Sequence, residues 1–125
     1  MTRVLAKRFG CATEFTLEVL GGKWKTIILC YLKERPLRYG ELRSVLPKLS
    51  DKVLTERLRE LEEAGLVARR TAGRTNGTTV YCLTERGNSL RRVLTELYEW
   101  GEAQADAFGV AYDWPLTKLS EPAAT

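Results

Sequence analysis

Five side chains, Ser50, Lys52, Thr55, Glu56 and Arg59, bring hydroxyl, ammonium, carboxylate and guanidinium groups into one short stretch. At about 100° per residue, the last four and Glu63 fall on one side of a helix, with Leu54, Leu58 and Leu61 on the other. Groups of these kinds match base edges in a DNA major groove. Lys52 and Arg59 can donate to guanine O6 and N7, Glu56 can accept from cytosine N4, and Ser50 or Thr55 can serve a base or a phosphate. The competing reading is a solvated ladder of ion pairs, because Lys52, Glu56, Arg59 and Glu63 lie three and four residues apart. Glu60, Glu62 and Glu63 would repel phosphates, but they sit in the C-terminal half, which should tilt out of the groove. Arg43 and Arg57 are read as structural partners rather than base readers.

The other candidate chemistry is that of a thiol. Cys11 stands where a first helix should begin, near Lys7 and Arg8, and both features favour a thiolate. It is a redox candidate, and an unreactive interface cysteine is the alternative. Cys30 and Cys82 read as packing. The three cysteines are widely spaced without a CxxC, which argues against a disulfide framework or a zinc site. The chain has no histidine, so Ser-His and Cys-His nucleophilic schemes are excluded. No enzyme activity, metal or cofactor is expected.

These residues need a scaffold, and the hydrophobic periodicity supplies one. A first helix is predicted from Cys11 to Leu20, with Thr13 as its N-cap and Gly21-Gly22 ending it. A second runs from Lys23 to Lys33, with Trp24, Ile27, Ile28, Tyr31 and Leu32 in one stripe. Pro36 stops it, Leu37-Arg38 suits a short strand, and Tyr39 to Leu46 a third helix closed by Pro47. Ser50 caps the fourth helix, with Asp51 in its first turn, and Gly65 ends it. Strands over Leu66–Thr71 and Thr79–Leu83 flank AGRTNGT, whose Asn76-Gly77 suits a type I′ turn. Thr84 is expected to cap a long last helix, roughly Ser89 to Phe108. Its two stripes, containing Leu90, Leu94, Leu97, Tyr98 and Phe108, and Val93, Leu97 and Trp100, exceed what one small core needs. With Phe15 of the first helix, Leu94, Leu97, Tyr98, Trp100 and Phe108 are expected to form a dimer seam.

The fold class is therefore mainly α with a small antiparallel β-wing: a winged helix-turn-helix dimerising through its N- and C-terminal helices. One domain is expected over residues 1–112, followed by a loosely held tail over 113–125. Charge is uneven around a net +4. Residues 1–25 and 26–49 each hold five cations and two acids, and residues 65–83 hold three arginines and no acid. Basic charge thus brackets the fourth helix. Arg38, Arg69, Arg70 and Arg74 are placed for phosphate or minor-groove contact. No apolar run spans a membrane and no signal peptide is evident, so a cytoplasmic protein is expected.

The runs CATEFTLEVLGGKWKTIIL, PLRYGEL, LSDKVLTERLRELEEAGLVARR, VYCLTERGNSL and LYEWG resemble the HxlR-type regulators, a branch related to the MarR family. The resemblance covers roughly residues 11 to 101. It implies a homodimeric, sequence-specific transcription regulator, a repressor, reading a pseudo-palindromic operator in double-stranded DNA. It also implies redox sensing through Cys11, with an oxidant or a small molecule as inducer. The wing departs from the family pattern, which places a proline pair where this chain has Gly77-Thr78. A winged-helix protein-interaction module without sequence-specific DNA binding is the alternative function.

Overall fold

The computed structural model describes residues 8–71 and 78–113. Arg74 and the Asn76-Gly77 turn of the wing, Lys7, and the tail from residue 114 lie outside the described residues. Six helices and three strands follow in the order α1 (Ala12–Leu20), α2 (Lys23–Glu34), β1 (Leu37–Arg38), α3 (Tyr39–Val45), α4 (Asp51–Glu63), β2 (Val67–Thr71), β3 (Thr79–Leu83), α5 (Glu85–Asn88) and α6 (Arg91–Phe108) among the described residues. The strands form one antiparallel sheet in the order β1-β3-β2. Val67 faces Leu83 and Thr71 faces Thr79, and Leu37 pairs with Tyr81 on the other edge of β3. A mainly helical body with a three-stranded antiparallel wing is the winged helix-turn-helix expected from the sequence.

The core gathers one apolar face from each element. Ile28 and Leu29 of α2, Leu37, Leu42, Leu54, Leu58, Leu61, Leu66 and Leu94 are all essentially inaccessible. Leu29 lies outside the expected stripe of α2, yet it is as deeply buried as Ile28, in a helix that packs against α4, α6 and β3. Lys25 of α2 is also buried, with its ammonium 3.9 Å from Glu60 of α4.

Three expectations about local structure need correction. Thr13 is not the cap of α1; Cys11 holds that position in extended backbone. Thr84 caps the short α5 rather than the long last helix, its Oγ1 accepting from Gly87 N–H at 3.0 Å and donating to Gly65 O at 2.6 Å. The chain re-enters helix only at Arg91. Within α5 the packing is tight: a Cβ on Gly87 would run into the carbonyl oxygen of Leu66. Leu94, assigned to the dimer seam, is fully buried in its own chain beside α2, so it belongs to the core. Tyr98 is half-buried against that core.

Candidate nucleic-acid interface

Local chemistry starts α4 where the sequence places it. Ser50 Oγ accepts from Val53 N–H at 3.1 Å, satisfying one of the free amides of the first turn. At the other end Gly65 adopts φ 76°, a left-handed conformation that glycine takes without strain, and Arg86 donates to Ala64 O at 3.0 Å. Leu54, Leu58 and Leu61 then seat the helix on the core. Ser50, Lys52, Thr55 and Arg59 stay exposed and Glu56 is half-exposed. No ion pair forms between Lys52, Glu56, Arg59 and Glu63 among the described residues, so the ladder reading has no support there.

The helix is held in place by contacts that no local pattern announces. Tyr39, opening α3, donates its hydroxyl hydrogen to Asp51 Oδ1 at 2.7 Å, and its oxygen lies 3.5 Å from Thr55 Oγ1. Arg43 of α3 pairs with Asp51 at 3.1 Å and donates to Leu49 O. Tyr39 and Arg43 thus clamp the first turn of α4 from the preceding helix. Tyr39 was missed as a site residue because its partners lie 12 and 16 positions away. Arg43 does have the structural role expected of it, and Arg57 likewise pairs with Glu60 at 2.9 Å.

Those pairings also settle much of the acid on α4. Glu60 is shared by Arg57 and Lys25, and Glu62 accepts from Arg69 of β2 at 2.9 Å. The hydrogen bond and charge of Glu62 raise the Arg69 guanidinium above its ordinary value. Arg69 is therefore committed within the protein, and a phosphate would have to displace a carboxylate to recruit it. Arg38 pairs with Glu41 at 3.5 Å, and its backbone N–H donates to the same carboxylate at 2.8 Å. Burial pushes the Glu41 carboxyl up, but that amide and the charges of Arg35 and Arg38 outweigh it and hold Glu41 low. Arg70 is exposed and forms no ion pair among the described residues.

Cys11 is exposed at the N-terminus of α1. The nearby backbone amides of Glu14 and Thr13 at the start of α1 lower its thiol below the ordinary cysteine value. Glu14 also accepts from Gly10 N–H, and Phe9 packs edge-on against Phe15 at 5.3 Å between ring centroids. Cys30 has the opposite environment: burial raises its thiol, with Lys33 opposing. Cys82 is buried on β3 with Sγ 3.6 Å from Ala68 O. Phe15, Leu97, Trp100 and Phe108 expose large apolar surfaces, Trp100 by 63% and Phe108 by 69%. No helix among the described residues is long and apolar enough to cross a membrane.

Known proteins share this fold. The HTH-type transcriptional regulator YkvN of Bacillus subtilis (strain 168) is 42% identical over 100 residues, covering 80% of this chain and 85% of YkvN. The redox regulator HypR in its reduced form superposes with a TM-score of 0.72 at 36% identity, covering 79% of this chain and 98% of HypR. The reduced transcriptional regulator YodB from B. subtilis superposes at 0.64 and 35% identity, covering 80% of this chain and 95% of YodB. Residues 19–108 match the HxlR-like helix-turn-helix model, and on that match and these relatives the chain belongs to the HxlR-like helix-turn-helix family of transcriptional regulators.

Proposed function

We propose that the protein is a homodimeric, sequence-specific DNA-binding repressor whose α4 enters the major groove. The observation that carries this reading is the outward ridge of α4. Lys52 and Arg59 are exposed on a helix seated by three buried leucines and form no ion pair among the described residues, and Thr55, also exposed, lies against the Tyr39 hydroxyl. An α-helix fits a major groove about 12 Å wide, and its N-terminal half reaches the base edges. Ser50, Lys52, Thr55, Glu56 and Arg59 read bases. Arg70 contacts the flanking backbone, joined by Arg38 and Arg69 once phosphate replaces their carboxylate partners, and by Arg74 of the wing. The double-stranded partner is a pseudo-palindromic operator, because a two-fold dimer offers two α4 helices about one DNA turn apart.

The dimer seam is the exposed apolar surface of α1 and α6, with Phe15, Leu97, Trp100 and Phe108 at its centre. Cys11 serves as a redox switch on that seam. Its thiolate attacks a peroxide, breaking the O–O bond to give sulfenic acid and hydroxide; condensation with a second thiol then forms a disulfide and releases water. Either product alters the seam and hence the spacing of the two reading helices. The lowered Cys11 thiol and the likeness to a redox regulator support this.

The deciding experiment is a titration of the full-length protein against specific and random duplexes over a range of salt. A steep loss of affinity with rising salt, together with preference for one sequence, is expected. Binding that is absent or indifferent to salt would instead favour a protein-interaction module.

A further inference from the structure

A cleft of about 330 Å³ lies between α2 and the C-terminal half of α6, with Trp24, Ile27, Cys30, Leu97, Tyr98 and Gly101 among its walls. Gly101 leaves it open. A glycine inside a helix weakens it relative to alanine, and a Cβ added here would meet no atom within 4 Å. The floor is aromatic and aliphatic, while one rim is polar. There Tyr98 donates its hydroxyl hydrogen to Glu102 at 3.3 Å, and no cation pairs with Glu102 among the described residues.

The chain beyond α6 closes over this space. Val110 N–H bonds to Ala105 O, Tyr112 donates to Gly101 O at 2.8 Å, and Asp113 pairs with Lys48 at 3.7 Å. Lys48 stands in the turn between α3 and α4, and Leu46, at the start of that turn, also lines the cleft. The cleft therefore touches α2, α6 and the turn that leads into α4. Its size falls at the lower end of the range of small-molecule pockets, roughly 300–1,000 Å³.

We propose that this cleft is a binding site for a small organic amine, with an apolar body between Trp24 and Tyr98 and its ammonium on Glu102. An aromatic body suits the Trp24 and Tyr98 walls, and a cation answers the lone carboxylate at the rim. Binding needs no DNA. The regulatory consequence, however, rests on the DNA-binding reading: an occupied cleft fixes α6 relative to the α3–α4 turn and shifts DNA affinity. By linkage, operator DNA then changes amine affinity by the same factor.

The test is calorimetric titration of the full-length protein, free of DNA, with tryptamine, and with indole-3-acetate as its charge-reversed counterpart. Saturable binding of tryptamine at least about tenfold tighter than indole-3-acetate is expected. Gly101→Leu, which fills the cleft and favours helix, should weaken tryptamine by about tenfold or more and leave the dimer intact. Glu102→Gln should erase the preference between the two probes and carries the test should the leucine variant fail to fold. No saturable tryptamine binding, equal binding to both probes, or unchanged affinity in a folded Gly101→Leu would each overturn the proposal. So would dissociation of the dimer by Gly101→Leu, which would make a second copy the occupant. None of these outcomes bears on whether α4 binds DNA.

Discussion

At the scale of single residues, two exposed arginines with different neighbours should behave differently on DNA. Arg59 projects from the outward ridge of α4, whereas Arg70 lies on the wing strand with no ion-pair partner among the described residues. Arg59→Ala is expected to weaken specific binding by about 1–3 kcal/mol and leave random duplex nearly unchanged. Arg70→Ala should weaken every sequence alike and lower the salt slope by about one unit. Filter binding on both duplexes checks the pair; equal specific and random losses for Arg59→Ala would remove it as a base reader. The cysteines invite a second comparison. Helix amides lower the Cys11 thiol, while burial raises that of Cys30. Iodoacetamide should therefore alkylate Cys11 with a pH midpoint below that of an ordinary thiol, and well before Cys30 reacts. The sign also reaches stability. A lowered folded-state value means that the thiolate's contact with α1 is present above the unfolded thiol value and is lost as pH falls through the folded one.

At the scale of elements, α4 is defined by its ends and its buried face. Ser50→Ala removes the only side-chain cap of its N-terminus and should cost about 1 kcal/mol. Leu58→Ala leaves a cavity beneath the helix and should cost about 2–5 kcal/mol, enough to threaten a domain of this size. Urea denaturation measures both, and a cost for Leu58→Ala below about 1 kcal/mol would contradict its place in the core. The clamp from α3 predicts something subtler. Tyr39→Phe keeps the ring but removes the hydroxyl from Thr55 and leaves Asp51 to Arg43 alone, so on the DNA-binding reading it should alter base preference more than it alters stability. Binding to operator variants changed one base at a time would reveal this.

At the scale of the whole molecule, the apolar residues left outside the core are what the proposed dimer would cover. Leu97, Trp100 and Phe108 project from α6 and Phe15 from α1, too much apolar surface for water to surround at no cost. Trp100→Glu is expected to shift sedimentation from dimer to monomer. It should weaken binding to a two-half-site operator far more than binding to one half-site, because only the dimer gains from both α4 helices. A Trp100→Glu protein that remains dimeric would place the seam elsewhere.

Periodicity and local punctuation were enough to draw α4. Leucines spaced three and four apart, a serine before an aspartate, and a glycine past the last turn describe an amphipathic helix with marked ends, and each signal acts over a few residues. The wing strands and the resemblance to the family were legible for the same reason, since both rest on contiguous runs. What proximity in sequence cannot encode is which distant charges meet. Folding brought Glu62 to Arg69, Glu60 to Lys25 and Asp51 to Tyr39, and so paired three acids of α4 and occupied one wing arginine. It also divided the apolar stripes of α6, sending Leu94 into the core while leaving Trp100 exposed. Helical periodicity says that a face is apolar; only the packing of α2 against α6 says which half of that face its own chain already covers.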